Sequence, residues 1–346
     1  MRLKPILLAV LVVLLSLSAG VAVYLYRSGP PLPQGTEQAI DRAIGSPLPE
    51  LVTGHSGLAD SQGWSIWYER IDPGGPPRGT VLLIMGISND ALGWPQPFIE
   101  ALTAAGYRVV RYDHRGTGMS DWRAPDGASD AYDLSDMAAD GIAVLDALDI
   151  ERAHVVGASM GGLIAQELVL DHPGRVSSLA LIMSIADVRD PTLPPLSSDV
   201  AYSLIRTALK YGLAGGERNA IKLHVASRII LAGEASAHPH DVSEIARQVL
   251  YNLRVRRGYN LRASAAHQAA VQRSGARLAR LERLEGVRTL VLHGTADPFV
   301  PIAHGRKLVA TIPGARGLWI DDMGHDLPPH AIDPVTAALI AHFHGP

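Results

Sequence analysis

A serine flanked by glycines lies where a strand pattern changes into a helix pattern. The sequence reads HVVGASMGGLIAQE from His154 to Glu167, with Gly157 and Gly161 each two residues from Ser159. A chain that passes from strand to helix at Ser159 must bend sharply, which leaves no room for side chains at the two glycines. The G-x-S-x-G pattern is weak by itself and gains its meaning from this strand–turn–helix context. We therefore predict that Ser159 is a nucleophile exposed at the carboxyl end of a sheet.

A serine hydroxyl attacks only when a base removes its proton, and the base needs a carboxylate to orient it. In this arrangement the acid and the histidine follow the serine in that order, each just after a later strand. Asp297 follows the strand pattern TLVLHG, and His325 follows the strand pattern GLWI. These two residues are the predicted acid and base. Asp187, which follows an earlier strand, is the rival acid.

Two backbone amides are predicted to form an oxyanion hole beside the serine. The amide of Met160 lies at the start of the predicted helix, where it faces whatever Ser159 attacks. The second donor is expected in the loop after the strand TVLLIMG. Gly86 lets that loop turn closely, so the amide of Ile87 is the predicted second donor.

Strand and helix patterns alternate along most of the chain, which predicts a mostly parallel central sheet flanked by helices. The alternation begins near residue 50, stops near Asp187 and resumes near residue 286. The intervening sequence reads as helices without strands. We therefore expect an α/β core over residues 50–187 and 286–346, interrupted by a helical cap over residues 188–285.

The N-terminal sequence resembles a membrane anchor or a signal peptide. Arg2 and Lys4 precede an apolar run from Pro5 to Tyr26, about the length of a helix that spans a bilayer. Small residues within the run would also suit a signal peptidase. Residues 1–27 are therefore predicted to be a transmembrane or signal segment. The catalytic domain would lie outside the cytoplasm, membrane-anchored, or secreted if the segment is cleaved.

A proline- and glycine-rich segment follows this N-terminal region. Residues 28–49 include the sequences GPPLPQG and GSPLPE. Such a composition is typical of an extended linker. We therefore expect this segment to be an extended linker that leads away from the membrane to the α/β core.

Composition excludes several functional classes. The 346-residue chain is 47% hydrophobic and 19% charged, and its net charge of −3 gives no overall field that would attract nucleic acid. The chain has no cysteine, which excludes disulfides, thiolate nucleophiles and iron–sulfur clusters. No dinucleotide or phosphate-loop motif is present, so no cofactor is predicted. The HPH sequence at 238–240 has no further ligands nearby, so no metal site is predicted either.

The predicted cap is basic. Residues 188–288 carry 16 Lys or Arg against 8 Asp or Glu, a balance of +8. One interpretation is that these charges lie on solvated helix faces. The alternative is a cap that attracts an anionic substrate or anionic lipid headgroups.

These motifs together resemble the α/β-hydrolase superfamily over roughly residues 50–346. The segments LIMGISNDALGWPQPF, RYDHRGTGMS, HVVGASMGG, HGTADPFVP and MGHDLP are similar to aclacinomycin methylesterase-type serine esterases. The resemblance implies an acyl-enzyme route in which Ser159 is the nucleophile, His325 the base and Asp297 its orienting acid. One departure is Met85, which stands where many members have a histidine before the glycine.

The sequence thus predicts a serine hydrolase that cleaves a carboxylic ester of a small molecule or lipid. Serine at position 159 argues against dehalogenase and epoxide hydrolase activity, for which the resemblance would imply an aspartate as the nucleophile. An acyltransferase, a perhydrolase and a carbon–carbon bond hydrolase remain open, because each can use the same three residues. A non-catalytic, membrane-tethered binding protein is the rival from another class.

Overall fold

Eight strands in the described part of the chain form one sheet. The structure is a computed structural model that describes Gly20, Tyr24 and residues 29–123, 131–233 and 241–345. The strands are β1 (His55–Ser61), β2 (Trp64–Ile71), β3 (Thr80–Ile84), β4 (Arg108–Tyr112), β5 (Ala153–Ala158), β6 (Val176–Ile182), β7 (Thr289–Gly294) and β8 (Arg316–Ile320). Their spatial order is β1-β2-β4-β3-β5-β6-β7-β8. β1 and β2 pair antiparallel, and β2 is antiparallel to β4, while the other neighbours are parallel. The predicted mostly parallel sheet is confirmed.

Helices connect and cover the strands. They are α1 (Thr36–Ile44), α2 (Gln96–Ala104), α3 (Leu134–Ala147), α4 (Met160–Asp171), α5 (Ser198–Thr207), α6 (Gly216–Ala232), α7 (Val242–Arg254), α8 (Leu261–Arg273), α9 (Leu278–Leu281), α10 (Ala303–Thr311) and α11 (Pro329–His344). Asp133 caps α3, and Asp136 completes a capping box by accepting from the Asp133 amide. α11 begins at Pro329, whose fixed φ suits the first turn of a helix.

Consecutive strand residues contact opposite cores. Val155 packs into one apolar cluster together with residues of α3 and α4. Val156, its neighbour in β5, packs into a second cluster with residues of α2 and α11. Side chains alternate between the two faces of a strand, so helices on both sides can bury the continuous apolar runs of the central strands. The sheet is therefore held rigidly from both faces, and the loops at its carboxyl edge start from fixed points.

The helices from α5 to α9 lie between β6 and β7, where the sequence predicts a helical insertion. The exact cap bounds of 188–285 and the division from the core stay predictions. α1 is a helix within residues 28–49, which were expected to form an extended linker. Ile40 of α1 is fully buried against the cap residues Ile221, Val225 and Val249. The apolar positions of TEQAIDRAI thus form a helix face that the cap covers. The prolines on either side of this segment led to the prediction of an extended linker.

Within the described residues no helix combines the length and the apolar character needed to cross a bilayer. This finding contradicts the membrane-anchored, extracytoplasmic location predicted from the N-terminal run. The predicted segment 1–27 lies, apart from Gly20 and Tyr24, outside the described residues. The histidine pair at 238–240 also lies outside them.

Candidate active site

The sharp bend predicted at Ser159 is present. Ser159 has φ 54° and ψ −120°, between the end of β5 and the first residue of α4. A non-glycine residue in such a conformation costs on the order of 1–3 kcal/mol, which the surrounding contacts must offset. The Ser159 amide donates to the Ile182 carbonyl at 2.9 Å, and the Ser184 hydroxyl donates to the Ser159 carbonyl at 3.0 Å. Both peptide groups of the serine are thereby tied to β6 and the residues that follow it.

The two flanking glycines are required by close backbone contacts. A Cβ atom on Gly157 would overlap the carbonyl of Gly161, and one on Gly161 would overlap the carbonyls of Ile84 and Met85. These obstacles are backbone atoms and cannot rotate away. Gly157 and Gly161 therefore let the strand, the helix and the loop after β3 meet at the serine.

Substituting Gly161 by alanine is expected to destabilise the protein by about 3 kcal/mol or more, because the added methyl group has no free volume. Thermal unfolding monitored by circular dichroism measures the effect. Gly174→Ala is the matched control, since a Cβ there meets no atom within 4 Å. Equal melting temperatures for the two variants would contradict the packing argument.

The structure brings Ser159, Asp297 and His325 into one hydrogen-bonded chain. The Ser159 hydroxyl donates to Nε2 of His325 at 2.9 Å. Nδ1 of His325 donates to Oδ2 of Asp297 at 2.8 Å. The imidazole therefore has an acceptor nitrogen toward the serine and a donor nitrogen toward the carboxylate, which is the tautomer needed to take a proton from the hydroxyl.

Asp297 is held as a charged acceptor. Its other oxygen, Oδ1, accepts from the amides of Phe299 at 2.9 Å and Val300 at 2.8 Å. Burial by itself would raise the pKa of Asp297, but the neighbouring His325 and His293 and these amides outweigh it and hold the pKa well below its usual range. The carboxylate is therefore ionised throughout the neutral range and fixed in its orientation.

Asp187, the rival acid, has a different hydrogen-bond partner. It is buried, and its Oδ1 accepts from the Arg189 amide at 2.8 Å. That hydrogen bond is local, between residues two apart in the chain. The partner of the His325 ring is Asp297.

The predicted oxyanion donors flank the serine. Met160 is the first residue of α4, so its amide belongs to the first helical turn, where backbone N–H groups lack intrahelical acceptors. Ile87 follows Gly86 in the loop after β3. A Cβ on Gly86 would lie 3.2 Å from Cβ of Ser159, so this loop passes directly beside the serine. The assignment of both amides as oxyanion donors stays a prediction.

Sequence reasoning missed two residues that surround the acid and the base. His293, at the end of β7, lies with Nε2 3.4 Å from Oδ2 of Asp297 and donates to the Val300 carbonyl at 2.9 Å. The ring of Phe299 packs edge-on against the ring of His325, with centroids 5.2 Å apart. The available signal was the position of His293 at the end of the strand that precedes the Asp297 loop, four residues before Asp297.

The cap reaches the base directly. The His325 amide donates to the carbonyl of Leu231, near the end of α6, at 2.8 Å. A Cβ on Gly324 would overlap the carbonyls of Leu231 and Ala232. The loop that carries His325 is thus seated against a cap helix, and the glycine permits that approach.

Much of the basic excess of the cap is used in ion pairs with other parts of the chain. Arg256 is buried and pairs with Asp113, and it lies 3.4 Å from Asp90. Arg277 is also buried and lies 3.0 Å from Glu167 of α4. Buried pairs of this kind are costly to break from one side, by about 3–5 kcal/mol. Further pairs join Arg280 to Glu167 and Asp171, Lys222 to Glu37, and Arg218 to Glu37 and Asp41. These four arginines and Lys222 join the cap to the core and to α1, a role that neither charge interpretation predicted.

A cavity of about 440 Å³ lies between cap and core. Its wall includes Leu92 and Trp94 from the segment after β3, Leu327 from the His325 loop, and Arg228 and Gln248 from the cap. Among the described residues, Ser159, Asp297 and His325 are not part of its lining. Acidic and basic side chains both contribute, as Arg228 and Arg247 and as Asp241, Glu244 and Asp333. The lining therefore shows no preference for an anion.

The sheet, the bend and the order of the three residues define an α/β hydrolase. A family model described as alpha/beta hydrolase fold matches residues 79–328, and the chain belongs to that family. It is 34% identical to rhodomycin D methylesterase DauP of Streptomyces sp. (strain C5), over 80% of this chain and 94% of that protein. The protein is thus an enzyme of the esterase type.

Two solved structures show how widely this fold is shared. The esterase RhEst1 from Rhodococcus sp. ECU1013 has a TM-score of 0.63 at 25% identity, covering 83% of this chain and 98% of that one. The meta-cleavage product hydrolase CumD from Pseudomonas fluorescens IP01 has a TM-score of 0.62 at 22% identity, covering 85% of this chain and 98% of that one. At that identity the second likeness concerns the fold alone.

Proposed function

We propose that this protein hydrolyses a carboxylic ester of a small molecule through an acyl-enzyme intermediate on Ser159. The observation that carries the proposal is the unbroken chain of hydrogen bonds from Ser159 to His325 to Asp297. This chain can move the serine proton to the imidazole at the moment of attack.

In the first half of the reaction, Oγ of Ser159 attacks the ester carbonyl carbon while Nε2 of His325 takes the hydroxyl proton. The carbonyl π electrons move to oxygen, and the amides of Met160 and Ile87 stabilise the resulting oxyanion. When the tetrahedral intermediate collapses, the bond to the alcohol oxygen breaks. His325 returns its proton to that oxygen, and the alcohol leaves.

In the second half, His325 takes a proton from water as the water oxygen attacks the acyl carbon. The second tetrahedral intermediate collapses by breaking the bond to Oγ of Ser159. His325 then reprotonates Oγ, and the carboxylic acid is released. Throughout both halves Asp297 keeps the ring in one tautomer and stabilises its cationic form.

The substrate class follows from the relative rather than from the site geometry. DauP is named a methylesterase, and its similarity extends over four fifths of this chain. We therefore propose a methyl ester of a small molecule as the substrate.

A series of esters of one aromatic acid that differ only in the alcohol tests this proposal. We expect kcat/KM to be highest for the methyl ester and to fall by about 10-fold or more for a branched alcohol, because the alcohol must fit between His325 and the cap. Liquid chromatography of acid and alcohol measures the rate. The corresponding methyl amide is the control and should not be cleaved at a comparable rate.

Adding excess ethanol to the same assay distinguishes hydrolysis from acyl transfer. Free acid should form ahead of ethyl ester. An ethyl ester that accumulates before the acid would favour an acyltransferase. The proposed substrate class would be overturned if Ser159 reacted with a fluorophosphonate but the protein cleaved none of the esters.

A further inference from the structure

The loop that carries the Ile87 amide adopts a backbone conformation that needs outside support. Ser88, the next residue, has φ +64°, a left-handed conformation that non-glycine residues rarely adopt. The neighbouring Asn89 side chain donates to the Ile87 carbonyl at 3.1 Å, which is a contact within the loop itself. Because an oxyanion donor must point to one place, contacts from outside the loop decide how well Ile87 can act.

Two buried histidines supply such contacts. His114 donates from Nε2 to the carbonyl of Met85 at 2.7 Å, at the start of the loop. His267, on cap helix α8, accepts at Nδ1 from the Ser88 amide at 3.2 Å, at the end of the loop. The two rings contact each other edge-on, with centroids 5.6 Å apart. Together they support both sides of the segment that contains Ile87.

The hydrogen bonds of His267 fix its tautomer. Nε2 of His267 donates to the Arg115 carbonyl at 2.9 Å, so Nδ1 is left as an acceptor for Ser88. The side chain is fully buried. Burial lowers the pKa of His267 to about 4, more than the hydrogen bond to Arg115 raises it, so the ring is neutral in the neutral range. One nitrogen of this ring therefore holds the loop, and the other anchors the ring to the core.

We propose that His267 is a positioning residue that sets the direction of the Ile87 amide by holding Ser88. This inference rests on the proposed function, since it concerns the oxyanion hole of the same reaction. It assigns to the cap a part in the chemistry, because α8 is a cap helix and Ser88 belongs to the core. An oxyanion donor acts mainly in the transition state, so loss of this support should lower kcat and leave KM nearly unchanged.

Two substitutions separate the two nitrogens of His267. In His267→Asn the side-chain oxygen can occupy the position of Nδ1 and accept from Ser88, while the bond to Arg115 is lost. In His267→Gln the terminal amide reaches the position of Nε2 and can donate to Arg115, while the acceptor for Ser88 is lost. A ring that served packing alone would make no such distinction.

We expect His267→Gln to lower kcat by about 10- to 100-fold with KM changed by less than about 3-fold. His267→Asn should retain kcat within about 3-fold of the unmodified protein. Rates on a short acyl ester are expressed per site titrated with a fluorophosphonate, so that misfolded protein does not count. His267→Leu, which is close to asparagine in shape and has no acceptor, should behave as glutamine does.

His342 offers a matched control, because it is buried, donates from Nε2 to the Leu179 carbonyl at 3.1 Å and belongs to α11. His342→Asn and His342→Gln should change the melting temperature without lowering kcat per titrated site. Equal losses of kcat in His267→Asn and His267→Gln, or a loss confined to KM, would overturn the positioning role. Failure of the proposed function is a separate outcome, because the unmodified protein would then hydrolyse no ester or would keep its rate in Ser159→Ala.

Discussion

Ser159→Ala is expected to lower kcat for ester hydrolysis by about 10⁶-fold, because it removes the hydroxyl that is hydrogen-bonded to His325 and attacks the ester. His325→Ala should have an effect of the same size, since a serine hydroxyl without its base is a poor nucleophile. The double variant should lose no more than either single variant, because the two residues act as one unit. Spectrophotometric hydrolysis of a p-nitrophenyl ester, together with fluorophosphonate labelling, measures all three.

Ser178→Ala is a suitable control for this experiment. Ser178 is a fully buried serine of β6 whose hydroxyl lies 2.8 Å from Nδ1 of His154. Its loss removes a buried hydroxyl at a distance from the proposed chemistry, so kcat should stay near that of the unmodified protein. A Ser159→Ala protein that hydrolyses esters at the unmodified rate would falsify the assignment of the nucleophile.

Asp297→Asn is expected to lower kcat by about 10⁴-fold. The amide can present its NH₂ group to His325 and stabilise the wrong tautomer, and it can no longer stabilise the cationic ring. The measurement is the same ester assay near neutral pH. Because this variant keeps the nucleophile and both proposed oxyanion donors, its residual rate should exceed that of Ser159→Ala.

Asp187→Asn is the matched control, since the sequence left Asp187 as the rival acid. Its oxygen accepts from a local backbone amide, so this variant should keep kcat within a few-fold of the unmodified protein. A large loss in Asp187→Asn with little loss in Asp297→Asn would reverse the assignment.

Stability offers a second readout for Asp297. The folded-state pKa of Asp297 is depressed below the unfolded value of about 4. The resulting stabilisation is therefore fully present above pH ~4 and is lost as pH falls through the folded-state pKa. The difference in melting temperature between the unmodified protein and Asp297→Asn should accordingly be larger at pH 7 than at pH 3.

The roles of His267 and α1 could not be predicted from sequence patterns. His267 lies in a helix whose apolar spacing says nothing about a loop 179 residues earlier in the chain. Likewise, α1 is short and flanked by prolines, and it gains most of its stability from the cap surface that buries Ile40. A contact of this kind depends on the packing of distant elements, which local periodicity does not encode.

The alternation of strands and helices, the bend at Ser159 and the order of serine, acid and histidine could all be predicted from the amino-acid sequence. These features are local, because apolar periodicity, glycine spacing and strand-end position each operate within about ten residues. The choice of Asp297 over Asp187 as the partner of His325, and the pairing of the cap arginines with the core and α1, became clear from the three-dimensional arrangement. The physical reason is that a carboxylate or a guanidinium takes its partner from whatever the fold brings within about 3 Å. The Ser159–His325 pair shows the distance involved, since 166 positions separate its members along the chain.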